Sequence, residues 1–169
     1  MNAEICDRAR AAILERNFTA WRGLPDDCGI AELFDKTQPD SAKMAARSLG
    51  DNFVRTAFAV LEVPGYYRPT VSIRDGRLVL FDAMNPELAG GFAPLHATLG
   101  EPDARLDWVY GSVPFPKGEW PYPARGITVF VNDTEDRALH VALYRATTLA
   151  TYRAELRPHL AKQALPRDR

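Results

Sequence analysis

Ser48-Leu49-Gly50-Asp51-Asn52-Phe53-Val54-Arg55 returns fifty residues later as Thr98-Leu99-Gly100-Glu101-Pro102-Asp103-Ala104-Arg105. The same offset carries Phe58 onto Trp108 and Val63-Pro64 onto Val113-Pro114. A constant offset across separate matches marks an internal repeat. Each copy is followed by two strands joined by a turn: Thr70–Phe81 in the first, and Ile127–Val131 with Ala138–Tyr144 in the second. Asp75-Gly76, flanked by alternating residues, is a strong hairpin signal, because both central residues of a type I′ turn need a positive φ. The pattern predicts an α+β fold: a single domain over residues 1–169 made of two tandem repeats, at about 39–84 and 85–145. Each repeat is a short helix followed by antiparallel strands, and N- and C-terminal helices flank the pair.

Apolar spacing places the first of these helices from Asn2 to about Arg16, through Ile5, Ala9, Ala12 and Ile13, and a short one from Gly29 to Lys36. The first repeat helix is expected over Ser41–Leu49, with Gly50 as its stop. The second is expected to start at Asn85-Pro86, since proline at a first helical position loses no bonded donor. A last helix, capped by Thr147 or Thr148, carries Leu149, Tyr152 and Leu156 on one stripe until Pro158. Phe53–Glu62 and Leu106–Val113 read as strands.

The chain has 21 basic and 22 acidic residues, so no net positive field exists to hold nucleic acid or an anionic membrane. No apolar run reaches the roughly 20 residues that span a bilayer. Met1–Arg8 lacks the apolar stretch of a signal peptide, so a cytoplasmic location is expected. In that compartment Cys6 and Cys28, the only two cysteines, are expected to be reduced thiols with a packing role.

A short helix, Leu99-Gly100-Glu101-Pro102, the strand Trp108-Val109-Tyr110 and a closing hairpin opened by Ile127-Thr128-Val129-Phe130-Val131 together resemble the repeat of β-lactamase inhibitor protein and of outer-membrane assembly lipoproteins of the SmpA/OmlA type. The likeness spans about Pro39 to Tyr144; the first copy, Leu49-Gly50-Asp51-Asn52, lacks the proline. The resemblance implies a non-enzymatic surface that binds another protein, often through a concave sheet face. Those relatives are exported, and this chain shows neither their signal peptide nor their lipid-attachment cysteine.

The stretch from Gly111 to Arg125 holds Phe115, Trp120 and Tyr122 among four prolines. Prolines restrict an unbound loop and aromatic rings offer contact area with few rotatable bonds, as in a binding loop. The same composition also suits aromatics folded back onto a sheet edge that the prolines protect. Leu106, Trp108 and Tyr110 share one strand face. The candidate binding residues are therefore Trp108, Tyr110, Phe115, Trp120, Tyr122 and Arg125.

His96, His140 and His159 lie too far apart for metal-ligand spacing, and alternation turns His140 away from Leu139 and Val141 toward solvent or a groove. Glu101, Asp103 and Asp107 suit a turn or a pairing with Arg105 better than acid–base chemistry. Ser112 lies in no Gly-x-Ser-x-Gly elbow and Gly90-Gly91 in no phosphate loop. The expected function is protein binding, inhibitory or immunity-like, without a cofactor. The alternative is a small-molecule binder or accessory enzyme with a cavity lined by Tyr66, Tyr67, Trp108 and Tyr110.

Overall fold

The computed structural model describes residues 2–34, 45–47, 56–74, 77–110 and 112–160. The chain is mixed α+β. Its strands are β1 (Ala45–Arg47), β2 (Thr56–Val60), β3 (Tyr67–Arg74), β4 (Arg77–Met84), β5 (Leu106–Tyr110), β6 (Val113–Tyr122), β7 (Ile127–Val131) and β8 (Ala138–Leu143). They form one eight-stranded antiparallel sheet in the order β1-β2-β3-β4-β8-β7-β6-β5. Each half of the chain contributes four strands in consecutive order, and the halves meet where β4 pairs with β8, Phe81 opposite Leu143 and Met84 opposite His140.

Alternation sorts the side chains onto two faces. Phe81 and Ala83 of β4, Val129 of β7 and Val141 and Leu143 of β8 join a core with the helices α1 (Asn2–Glu15), α2 (Ile30–Phe34) and α3 (Phe92–Leu99). On the opposite face Leu80, Trp108, Phe130, Ala142 and Tyr144 pack with Tyr152 and Leu160. The cover there is the C-terminal segment: α4 (Leu149–Thr151), a π-helical turn Tyr152–Leu156 and a 3-10 turn Arg157–His159. As expected, Thr148 caps this segment, its side chain accepting from the Thr151 amide.

The N-terminal lobe is fastened by backbone as much as by apolar contact. Leu24 donates to the Tyr144 carbonyl at 2.9 Å, and the Trp21 indole donates to the Gly126 carbonyl at 3.0 Å. Gly126 has a φ of 64°, and its Cα faces Gly23 so closely that a Cβ built on it would stand 2.5 Å from the Gly23 Cα. Both the left-handed conformation and the close approach require glycine there. At the end of α1, Arg16 donates from Nε to the Glu87 carbonyl at 2.6 Å, which ties the helix to the segment leading into α3.

Several elements differ from their sequence-based expectation. The helix expected over 41–49 contains the strand β1, because Ala45, Ala46 and Arg47 pair with Phe58, Ala57 and Thr56, and a long-range ladder overrides the helix propensity of alanine. The second repeat helix begins at Phe92 rather than at Pro86, since Asn85, Gly90 and Gly91 have φ values of 46°, 73° and 82° that no right-handed helix runs through. The fifty-residue offset sets β2, second in its half, against β5, first in its half. Residues 48–55 and the Asp75-Gly76 turn lie outside the described residues.

Cys6 on α1 and Cys28 just before α2 are joined in a disulfide, which corrects the expectation of reduced thiols. The bond links two elements 22 residues apart in sequence, restricting the unfolded chain more than the folded one. The oxidised protein should show no thiol accessible to a thiol reagent even when denatured. Cys6→Ala with Cys28→Ala should lower stability by about 3 kcal/mol in denaturant unfolding.

Candidate functional site

The proline- and aromatic-rich stretch expected as a connection between strands is itself the ten-residue strand β6, and its two halves differ. Val113–Lys117 is exposed or half-buried, with Val113 at 53% exposure, whereas Gly118–Tyr122 is buried. The reason is pairing. β7 reaches β6 only from Glu119 to Tyr122, so the outer half projects as a two-stranded ribbon with β5 alone. Pro114, opposite Val109, has no amide to donate. The ladder bonds therefore fall on the alternate pairs Tyr110–Val113 and Trp108–Phe115, and the proline nitrogen faces the free side of the ribbon. Pro116 follows two residues on, and such an edge resists pairing with a further strand.

The ribbon ends at an irregularity in register between Leu106 and Trp108. Lys117 adopts a φ of 58° there, and its amide donates to Asp107 Oδ1 at 2.8 Å. Gly118 comes next, and a Cβ on it would stand 2.5 Å from the Trp108 indole nitrogen and 2.9 Å from the Val131 carbonyl. The missing side chain lets the Trp108 ring lie against the strand.

Of the six residues singled out in the sequence, three come together. The Trp108 and Phe115 rings stack at 4.7 Å, Tyr110 lies 5.9 Å from Trp108, and Phe130 meets Trp108 edge-on at 5.2 Å. The Tyr110 hydroxyl lies 2.9 Å from Met84 Sδ. Trp108 is buried, while Tyr110 and Phe115 are half-buried, so this aromatic row leads from the core out onto the ribbon.

The other three residues are elsewhere. Trp120 and Tyr122 point to the helix side of the sheet and are buried, Trp120 completely. The Trp120 indole donates to the Lys117 carbonyl and its ring meets those of Phe92 and His96, with the Arg105 guanidinium 4.8 Å from its centre. The Tyr122 hydroxyl donates to the Gly100 carbonyl at 2.8 Å, and burial raises its pKa well above the ordinary phenol value. Arg125 follows β6 in a 3-10 turn and donates to the Trp21 and Thr19 carbonyls, pinning the N-terminal lobe; desolvation, then the nearby charge of Arg22, lowers its pKa. The expected cavity is not assembled either, because Tyr66 packs on Phe81 in the helix-side core and Tyr67 is exposed, whereas Trp108 lies on the opposite face.

Two buried polar groupings were not anticipated. Asp82 and His140, both almost wholly inaccessible, approach to 2.9 Å across the β4–β8 seam. His140 faces away from Val141 but not from Leu139: the register irregularity after Phe130 puts Leu139 on the face of Phe130, whose ring His140 meets at 5.0 Å, and that face is covered by the C-terminal segment rather than open to solvent. Ser72 lies on the same face, yet it stands opposite Leu80 while His140 stands opposite Met84. Four residues along a strand are about 13 Å, so the three do not form a nucleophilic triad.

The second grouping centres on Glu119, fully buried on β6. Its carboxylate accepts from the Tyr152 hydroxyl at 2.5 Å and from Arg157 Nε at 3.0 Å on both oxygens, and Arg157 Nη2 donates to the Asp107 carbonyl at 2.6 Å. Burial disfavours the charge on Arg157, but the hydrogen bonds and charge of Glu119 outweigh it and raise its pKa. Burial and then the Glu119 charge push the Tyr152 hydroxyl well above its usual value. These bonds clamp the C-terminal segment to the sheet. A glutamate beside glycine and tryptophan in an apolar strand was the available sequence signal, but its distant partners leave no local pattern.

Among the other sequence candidates, Glu101 pairs with Arg105 at 2.7 Å. Comparison of the chain with protein families, curated proteins and solved structures finds no match.

Trp120→Ala should destabilise the fold by about 3–5 kcal/mol, measured by denaturant unfolding, because it opens a core cavity. Arg157→Met, which strands the buried Glu119 carboxylate, should cost about 3 kcal/mol or more, and adding Glu119→Leu should restore part of that loss. Equal stability of the single and double variants would deny the clamp its electrostatic character.

Proposed function

We propose that the chain is a non-enzymatic protein-binding module, inhibitory or immunity-like, which engages its partner through the ribbon of β5 and outer β6. One observation carries this reading: the half-buried Tyr110 and Phe115 and the exposed Val113 lie side by side on a proline-edged ribbon that projects past β7. Aromatic anchors partly sunk in a rigid support are the usual energetic centre of an interface. The prolines direct contact to side chains, since they hinder addition of a strand along that edge.

The two halves joined at β4–β8 have four strands each, as tandem units would, but the fifty-residue offset behind the resemblance to the β-lactamase inhibitor protein repeat sets β2 against β5, so the reading rests on the ribbon and not on that likeness. An enzymatic role finds less support, because Asp82, His140 and Glu119 are packed out of reach of a substrate. The near-balance of basic and acidic residues disfavours nucleic acid, and no helix among the described residues is long and apolar enough to cross a membrane. The Cys6–Cys28 bond favours an oxidising compartment over the cytoplasm, in keeping with the exported relatives that the repeat resembles.

The test uses a partner recovered from the native source with the intact chain. Val113→Asp combined with Phe115→Ala should weaken its binding at least tenfold while the melting temperature falls by only a few degrees, since one central aromatic contributes about 2 kcal/mol or more to such an interface. Undiminished affinity in that variant would remove the ribbon from the interface.

A further inference from the structure

The N-terminal lobe contains a cleft of about 590 Å³, and every residue lining it falls between Ile5 and Pro25. The Cys6–Cys28 disulfide closes a loop over nearly the same span, so one covalent bond holds the walls, α1 on one side and residues 17–25 on the other. The volume is within the range of sites that enclose a small organic molecule. Ala9, Ala12 and Trp21 give it an apolar floor, and Ile5, 41% exposed, contributes an apolar side chain that folding leaves uncovered. Ala9 and Ala12, three residues apart on one face of α1, keep the cleft open where longer side chains would fill it.

Two guanidinium groups line the cleft. Arg8 lines the cleft and makes no hydrogen bond or ion pair among the described residues. Arg22 also lines it, using Nη1 for the Trp21 carbonyl, and its charge reaches far enough to depress the pKa of Arg125. The one carboxylate in the lining, Glu15, is two helical turns from Arg8, or about 10 Å along the axis. Glu4, one turn before Arg8, and the adjacent Asp7 are exposed, line no part of the cleft and make no ion pair with Arg8. A guanidinium with unused donors recognises a carboxylate in a two-point geometry.

We propose that this cleft is a ligand site for a small monocarboxylate with an apolar body, such as a medium-chain acid, with the carboxylate at Arg8 and Arg22 and the chain over Ile5, Ala9 and Ala12. The site is distinct from the β5–β6 ribbon and belongs to the oxidised protein, whose disulfide fixes its walls.

Sodium decanoate titrated into the oxidised full chain, followed by calorimetry and amide chemical shifts, tests the assignment. Saturable binding is expected, with shifts at Ala9, Ala12 and Ala20, at least tenfold weaker binding of decanol, and at least tenfold weaker binding of decanoate to Arg8→Gln. Arg8→Lys, which keeps the charge, should lose less than Arg8→Gln. Arg8 is exposed, so neither variant should alter the fold, and unchanged amide spectra of the unliganded variants check this. Non-saturable binding, shifts centred on Tyr110 and Phe115, equal affinity for decanol, or no change in Arg8→Gln would each overturn the proposal. None of these results would bear on protein binding at the ribbon.

Discussion

The pairing of β4 with β8 is the seam that holds the sheet together. It sets Phe81, Asp82, Ala83 and Met84 opposite Leu143, Ala142, Val141 and His140, and so makes one sheet out of two four-stranded halves. Strands at the middle of such a sheet lose both faces to the interior, which is why β4, β7 and β8 are buried almost along their length. Each face then needs its own cover. The disulfide-closed N-terminal lobe and α3 supply one, the C-terminal segment the other. The polar groups caught between, Asp82 with His140 and Glu119 with Arg157 and Tyr152, are tolerated because each charge has a partner at hydrogen-bond distance.

The covers do not reach the whole sheet. Toward the β5 end the helix side is filled by Trp120 and Tyr122, the other face by Trp108 and the Arg157 clamp, and the ribbon outward from Gly118 meets that second core only through the partly buried Tyr110 and Phe115. Arg157 occupies the Asp107 carbonyl on β5 and Pro114 lies on the partner strand, so the ribbon's backbone is partly withdrawn from pairing while its aromatic side chains stay available. A surface of this kind suits recognition by side-chain contact. Burial and exposure are thereby divided between the two halves of one strand.

Much of this architecture was legible in the sequence. The apolar spacing of Ile5, Ala9 and Ile13 marks α1, the hairpin of β7 and β8 follows from alternation, and Thr148 caps where its hydroxyl predicts. What misled was local chemistry overruled at long range. Ala45-Ala46-Arg47 favours helix until a neighbouring strand offers a ladder, and four prolines in fifteen residues suggest a loop until the pairing shows Pro114 and Pro116 on the free side of the ribbon, Pro121 past the reach of β5 and Pro123 opening a 3-10 turn. The division among the site residues was equally hidden: Phe115 and Trp120 look alike in the sequence, and only the register irregularity at Lys117 and the reach of β7 separate an outer from an inner half. The pairing of Cys6 with Cys28 was within reach of the sequence, but an assumed reducing compartment argued against it.

Hydrogen–deuterium exchange of the chain, alone and saturated with a protein partner of the kind proposed, decides whether the ribbon is the binding surface, because it reads backbone protection along the whole polypeptide without any substitution. New protection is expected only at residues 106–117, on top of an unchanged slow-exchanging core in β4, β7 and β8. Protection that instead appears over α1 and α2, with the ribbon exchanging as freely as before, would contradict that expectation and move the interface to the helical side of the sheet.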